Sequence, residues 1–157
     1  MDWQGVQATL TQVVEEAFPE LYGTRLELRT VGPAWQRFFL CITSPFAPRI
    51  YAVRSALELL PDQVVRGLLA HELMHVLQFD PLSWLQRVWL AIQYVLSTRA
   101  RIRLERAADL GVVDRGCGED LLALRRYANG RYPDRRPPDP RYLTAAEING
   151  LIESRKA

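Results

Sequence analysis

Apolar residues recur every three or four positions over most of the chain, which is the spacing of helices that bury one face. The first such stretch covers 7–18, and Pro19 and Gly23 end it. In the second part of the chain, Pro61-Asp62 opens a helix because proline is favoured in the first turn. Five helices are predicted there: 61–79, 82–98, 99–114, 119–129 and 144–154.

Between the first helix and Pro61, apolar and polar residues alternate as they do in strands. Strands are predicted over 24–31, 35–43 and 49–53, and a short helical turn is predicted over 55–60. The order is an N-terminal helix, a small three-stranded antiparallel sheet and then several packed helices. This order predicts an α+β fold.

The length and composition indicate one folded domain over 1–157. With 48% hydrophobic and 24% charged residues, the chain has the composition of globular proteins and not of disordered ones. A proline-rich loop is predicted over 131–142, and a C-terminal helix or tail over 143–157.

The charge balance gives no reason to expect a nucleic-acid partner, because 20 basic and 18 acidic residues leave a net charge of only +2. Cys41 and Cys117 are too few for a disulfide framework, which favours reduced thiols. The first residues lack a basic region followed by an apolar stretch, so no signal peptide is predicted. We therefore expect a cytoplasmic protein.

The segment 82–96 is the most apolar part of the chain, although Gln86, Arg87 and Gln93 interrupt it. It is shorter than the about 20 apolar residues that a membrane-spanning helix needs. The favoured interpretation is a helix buried against the core. The alternative is a face that lies on a membrane surface or meets a second copy, with three aromatic anchors: Trp84, Trp89 and Tyr94.

The two histidines of the chain, His71 and His75, stand four residues apart in an H-E-x-x-H pattern. On a helix this spacing points both imidazoles the same way, so that they can bind one cation, and zinc accepts neutral imidazole. Glu72 lies about 100° around the helix from His71. It is placed to act as the general base that takes a proton from a zinc-bound water.

The apolar residues of this helix support that interpretation, because most of them lie opposite the two histidines. The histidine side is therefore expected to face a cleft while the other side packs on the core. Val64 and Leu68 are exceptions, since they fall near the histidine side, and another element is expected to cover them.

A third metal ligand is expected to be a carboxylate, because a catalytic zinc site keeps three protein ligands and no histidine remains. Glu105 and Asp109 are four residues apart, on one face of a predicted helix. Glu105 is the candidate ligand, and Asp109 is placed to accept the second ring N–H of a zinc-bound histidine. The alternative is an ordinary acid pair bridged to Arg101 or Arg106.

The two motifs H-E-L-M-H and E-R-A-A-D together resemble the gluzincin metallopeptidases, and most closely the CAAX prenyl protease and heat-shock HtpX peptidase family. The resemblance covers about 49–127, and the length is similar to the compact minigluzincins. It implies an endopeptidase with one zinc ion per chain and a peptide or protein substrate. The matching positions are His71, His75 and Glu105 as zinc ligands, Glu72 as general base and Asp109 behind the site.

The resemblance also implies a sheet whose edge strand lines the cleft, and 49–53 is the strand expected in that place. The family's later His-Pro-Pro stretch is matched only loosely by 136–141, which contains no histidine. A group that stabilises the oxyanion is therefore not assigned. The candidates for this role or for substrate contact are Tyr127, Tyr132, Tyr142, Arg135 and Arg141.

A second function class stays open. The same zinc site could serve only for stability, in a non-catalytic module that binds a peptide or a membrane surface. Intact Glu72 favours the enzyme, because a purely structural site has no use for a base at that position.

Overall fold

The computed structural model describes residues 1–37, 41–131 and 139–156. Its seven α-helices within these ranges are α1 (Trp3–Ala17), α2 (Arg54–Leu57), α3 (Asp62–Phe79), α4 (Trp84–Leu96), α5 (Thr98–Asp114), α6 (Gly118–Arg131) and α7 (Ala145–Lys156). Its three strands are β1 (Glu27–Val31), β2 (Cys41–Thr43) and β3 (Arg49–Val53). The predicted α+β class, with the N-terminal helix first, is confirmed.

Three of the helices, α1, α4 and α5, begin where a side chain satisfies a free N–H group of the first turn. The Asp2 carboxylate accepts a hydrogen bond from the Gly5 N–H at 2.8 Å and starts α1. Ser83 and Gln86 form a reciprocal capping box, which is why α4 begins at Trp84 and not at the predicted residue 82. Ser97 ends α4 and caps α5, so one residue joins the two helices.

The sheet is mixed, and the prediction of an antiparallel sheet is wrong in this respect. β3 pairs with β1 in parallel and with β2 antiparallel, in the order β1-β3-β2. The predicted second strand over 35–43 is reduced to β2, because Pro33–Arg37 forms a 3₁₀ helix that carries the chain away from β1. β1 and β3 are the parallel pair, and the chain between two parallel strands must be longer than the tight turn that can join two antiparallel strands.

β3 lies in the centre of the sheet, which corrects the expectation that 49–53 is an edge strand. β3 suits the central position because it is largely apolar. Its residues Ile50, Ala52 and Val53 are fully buried, as expected between two other strands. Of the strands that the structure describes, β2 and β1 occupy the edges. β2 contacts α3, which carries the H-E-x-x-H pattern.

The interpretation of 82–96 as a helix buried against the core is also wrong. None of the residues of α4 is buried, and Trp84 and Leu96 are 67% and 79% exposed. The helix packs on α5 through one side only, because the single-residue link at Ser97 folds the two helices against each other. Within the described residues, no helix is long and apolar enough to cross a membrane.

The hydrophobic core surrounds α3, which contacts α1, α5, α6 and β2. Val64 and Leu68 are buried, as expected for residues covered by another element. The closest approach is to α6 at Gly67, where an added Cβ would lie 2.2 Å from the backbone oxygen of Asp120. The absence of a side chain at Gly67 therefore sets the distance between α3 and α6.

We expect Gly67→Ala to destabilise the protein by about 2 kcal/mol or more, as overpacking of a filled interior does. The new methyl group would meet backbone that cannot turn aside. Urea unfolding followed by circular dichroism measures the change. Gly150→Ala in α7 is the matched control, since nothing lies within 4 Å of its added Cβ. It should raise the free energy of unfolding by about 0.5–1 kcal/mol through helix propensity. Equal effects of the two substitutions would contradict this account of the α3–α6 contact.

Candidate metal centre

His71 and His75 lie one turn apart on α3 and face α5, the helix that carries Glu105 and Asp109. The two helices come close where Gly111 of α5 meets Met74 of α3. A Cβ added to Gly111 would lie 2.2 Å from the Met74 Cε atom. The two histidines and the two acids are all buried, so the histidine side of α3 is more fully covered than the sequence predicts.

Three side-chain atoms converge on one point. Glu105 Oε2 lies 3.0 Å from His71 Nε2 and 3.4 Å from His75 Nε2, and the two nitrogens lie 3.2 Å apart. Ligands about 2.0–2.2 Å from a tetrahedral zinc ion lie about 3.3–3.6 Å from one another. The three separations are close to that spacing, so this buried group could hold a metal ion.

The partners of the two imidazoles fix their tautomers. His71 Nδ1 lies 2.9 Å from Asp109 Oδ1, and a carboxylate can only accept, so this nitrogen carries a proton. His75 Nδ1 lies 2.8 Å from Gln78 Oε1. The Gln78 amide is oriented by the Leu104 carbonyl, which accepts from its Nε2 at 3.3 Å. Because the amide presents its oxygen to the ring, His75 Nδ1 is also a donor.

If both imidazoles are neutral, the Nε2 atom of each histidine carries a lone pair. Each lone pair then points at the second histidine and at the Glu105 carboxylate. Three acceptors within 3.4 Å of one another require a cation, which is either a proton on an imidazole or a metal ion. Burial lowers the pKa of His71, but hydrogen bonds to Asp109 and Glu105 outweigh this effect and raise it to about 9. The carboxylates of Asp109 and Glu105 therefore stabilise a positive charge between the two histidines and Glu105.

The two carboxylates are tuned to stay ionised. Burial raises the pKa of Glu105, but hydrogen bonds from His71 and His75 outweigh it and hold that pKa well below its usual range. Burial acts in the same direction on Asp109, and the bond from His71 with the charge of Arg125 lowers its pKa. Both groups are therefore available as anions at neutral pH.

Asp109 is held by two helices and by the segment before α7. Its Oδ1 accepts from His71 on α3 and from Arg125 Nη2 on α6 at 2.6 Å, and its Oδ2 accepts from the Leu143 N–H at 2.8 Å. Such support fixes the orientation of the His71 ring. The alternative of an acid pair bridged to Arg101 or Arg106 is not what the structure shows.

The two arginines of that alternative have other partners. Arg106 pairs with Glu147 at 2.6 Å and donates to the Tyr142 carbonyl. Arg101 donates to the Tyr94 and Val95 carbonyls at the end of α4. The pair of acids therefore faces inward, while Arg101 binds the end of α4 and Arg106 binds α7 and the segment before it.

Tyr94 connects α4 to the cluster. Its hydroxyl donates to Glu105 Oε1 at 2.6 Å, which leaves Oε2 for the histidines. Burial and the hydrogen bond to Glu105 raise the pKa of Tyr94, so the phenol keeps its proton. This contact orients the Glu105 carboxylate from outside the group that could hold a metal.

Glu72 is buried beside the histidines and extends toward β2. The Thr43 hydroxyl lies 2.8 Å from Glu72 Oε2 and 2.9 Å from the Glu72 carbonyl oxygen. The pKa of the neighbouring Cys41 thiol is raised by burial and by the charge of Glu72, in agreement with this position. Cys41 and Cys117 are both buried and free.

The candidates for oxyanion or substrate contact fall in different places. Tyr142 lies next to the cluster, with its ring centroid 5.9 Å from that of His71 and the Arg125 guanidinium 4.2 Å from its ring. Arg141 lies against the same ring at 5.4 Å and pairs with Asp139. Tyr127 packs against the hydrophobic core from α6. Tyr132 and Arg135 lie outside the described residues.

Four side chains of this neighbourhood are not predicted from the sequence: Thr43, Gln78, Tyr94 and Arg125. Gln78 could have been found, because it follows His75 by three residues and shares its helix face. Thr43 gives a weaker signal, as the polar end of an apolar strand. The others approach from separate helices, and nothing local in the sequence indicates their contacts.

The chain matches no family model, no curated protein and no solved structure. The likeness to the gluzincins therefore stands on the two sequence motifs alone.

Proposed function

We propose that the protein is a zinc-dependent endopeptidase of the gluzincin type. The observation that carries the proposal is the buried triad of His71, His75 and Glu105, with Glu72 beside it on α3 and Asp109 behind His71. Two imidazole nitrogens and one carboxylate oxygen are the donor set of catalytic zinc in peptidases. Zinc held there would lower the pKa of a water molecule and polarise the carbonyl of a peptide bond.

Glu72 is the proposed general base, and Thr43 supports it in both protonation states. When Glu72 is ionised, the Thr43 hydroxyl donates to Oε2. When Glu72 has taken a proton from the attacking water, its O–H can donate to Thr43 Oγ1, whose hydrogen then turns to the Glu72 carbonyl. The proton can later pass to the leaving amine, as general acid–base catalysis requires.

The substrate is proposed to be an extended peptide that adds to the free side of β2. Among the described strands β2 has one neighbour, β3, and its residue Thr43 touches Glu72. Main-chain hydrogen bonds to an edge strand bind peptides with little dependence on sequence. The proposed peptide-binding strand is therefore β2, because 49–53 forms the central strand of the sheet.

Tyr142 is the proposed donor to the oxyanion. It lies next to His71, and burial with the charge of Glu105 raises its pKa to about 12. Its hydroxyl therefore keeps a proton that it can donate. Tyr94 has the same chemistry, but its hydroxyl is engaged by Glu105.

A cleavage assay tests the function directly. The purified chain, loaded with one equivalent of zinc, is incubated with unfolded casein, with and without a chelator. We expect fragments that disappear with the chelator and return when zinc is added back. A zinc-loaded, folded chain that cleaves no unfolded substrate would contradict the enzyme and favour the non-catalytic module.

We expect Thr43→Val to lower kcat by about 10- to 100-fold, because a hydrogen bond to a charged group contributes about 1.5–3 kcal/mol. Zinc content should not change, since Thr43 contacts Glu72 and not the triad. Thr43→Ser keeps the hydroxyl and should restore most of the rate. Equal rates for the valine and serine variants would show that the Thr43 hydroxyl does not act on Glu72.

A further inference from the structure

We propose that α4 docks on an anionic lipid surface. The docking face consists of its exposed apolar side chains: Trp84, Leu85, Trp89, Ile92, Val95 and Leu96. At about 100° per residue these six fall within one arc of about 140°. No charged side chain lies within that arc, whose one further member is the half-buried Val88.

The face runs along the whole of α4, because its first residue is Trp84 and its last is Leu96. The opposite side of the helix is occupied, since Tyr94 reaches Glu105 and Arg87 donates to the carbonyls of Asp80 and Leu82. The helix is therefore held sideways on the protein, with one side anchored and the other in solvent. That is the geometry of a helix that lies in the plane of a membrane surface.

Every charged residue of α4 and of the segment that follows it to Leu104 is an arginine, and the exposed acid Asp80 lies just before Pro81. From Pro81 to Leu104 the chain contains four arginines and no acidic residue: Arg87, Arg99, Arg101 and Arg103. Arg101 sits at the C-terminal carbonyls of α4, and Arg99 and Arg103 are exposed on the first turns of α5. An apolar face with exposed arginines beside its C-terminal end complements a surface with anionic headgroups over an apolar interior.

Lipid fits this face better than a second copy of the chain. In a two-fold dimer the same patch meets itself, so Arg99 and Arg103 of one copy would bring positive charge to an interface that already holds the same two arginines of the other copy. The two tryptophans also suit lipid, since indole rings favour the level of the headgroups. The inference does not depend on catalysis, because the docking face lies on the side of α4 away from Glu105.

Vesicle flotation tests the proposal with the full chain. We expect binding to vesicles of phosphatidylcholine with about one-third phosphatidylglycerol, at least about tenfold tighter than to phosphatidylcholine alone, and weaker binding at higher salt. Leu85→Glu should reduce binding at least about tenfold. Its control is Leu59→Glu, at a residue 82% exposed beyond α2, which should bind as wild type.

The arginines have their own test. The double variant Arg99→Gln/Arg103→Gln should bind anionic vesicles at least about tenfold more weakly, whereas Arg126→Gln, exposed on α6, should not. Glu72→Gln should bind as wild type, which separates this inference from the proposed enzyme. Equal binding by Leu85→Glu and Leu59→Glu would overturn the proposal. So would a dimer in sedimentation that Leu85→Glu abolishes, together with no vesicle binding.

Discussion

Glu72→Gln is expected to lower the cleavage rate by about 10²–10⁴-fold, the usual contribution of a positioned general base. The amide keeps the size of the side chain and can still meet Thr43, but it cannot take a proton from water. Zinc content, measured by atomic emission on the dialysed protein, should stay at one ion per chain.

The matched control is Glu119→Gln, an exposed acid on α6 that pairs with Lys156 of α7, which should leave the rate unchanged. The pattern of results also separates the two function classes. Loss of cleavage with retained zinc supports the enzyme, whereas an unchanged rate in Glu72→Gln would remove this residue as the base.

Glu105→Ala is expected to abolish the stabilisation of the protein by zinc. A ligand at about 1,000 times its dissociation constant stabilises the native state by about 4 kcal/mol. For a chain of this size we therefore expect wild type to gain about 8–16 °C in Tm. The variant should gain little, because only His71 and His75 remain as ligands.

Differential scanning fluorimetry with and without zinc measures this shift, and Glu147→Gln is a control for removal of a carboxylate outside the triad. Asp109→Asn should give an intermediate result, since loss of a partner behind a ligand lowers metal affinity by about 10–100-fold. A zinc shift that survives in Glu105→Ala would mean that another group is the third ligand.

The helices after residue 60 can be predicted from the sequence because each is defined locally, by its apolar spacing and by the residues at its ends. The sheet cannot, since the pairing of β1 with β3 joins residues 22 positions apart, and a 3₁₀ helix replaces part of the expected strand. Alternation predicts that a segment is extended, but it does not predict its neighbours or its direction.

The same division holds at the site. The two motifs predict that His71, His75 and Glu105 come together, because each spacing fixes one helix face and a zinc site needs a third ligand that no other histidine can supply. Their supports at Tyr94 and Arg125 depend on how α4 and α6 pack, which no local pattern encodes. The exposure of α4 cannot be predicted for a related reason. Hydrophobicity predicts that one face of this helix is buried, but it does not show whether another element of the chain packs against that face.

The hydrogen bond from Tyr94 to Glu105 places the proposed lipid-binding helix in contact with the proposed metal ligand. Two binding events on one protein are subject to thermodynamic linkage. If docking of α4 changes the affinity for zinc by some factor, zinc must change the affinity for vesicles by the same factor. Tyr94→Phe removes the connecting hydrogen bond and should bring that factor toward one, which vesicle titrations of the zinc-free and zinc-loaded protein would measure.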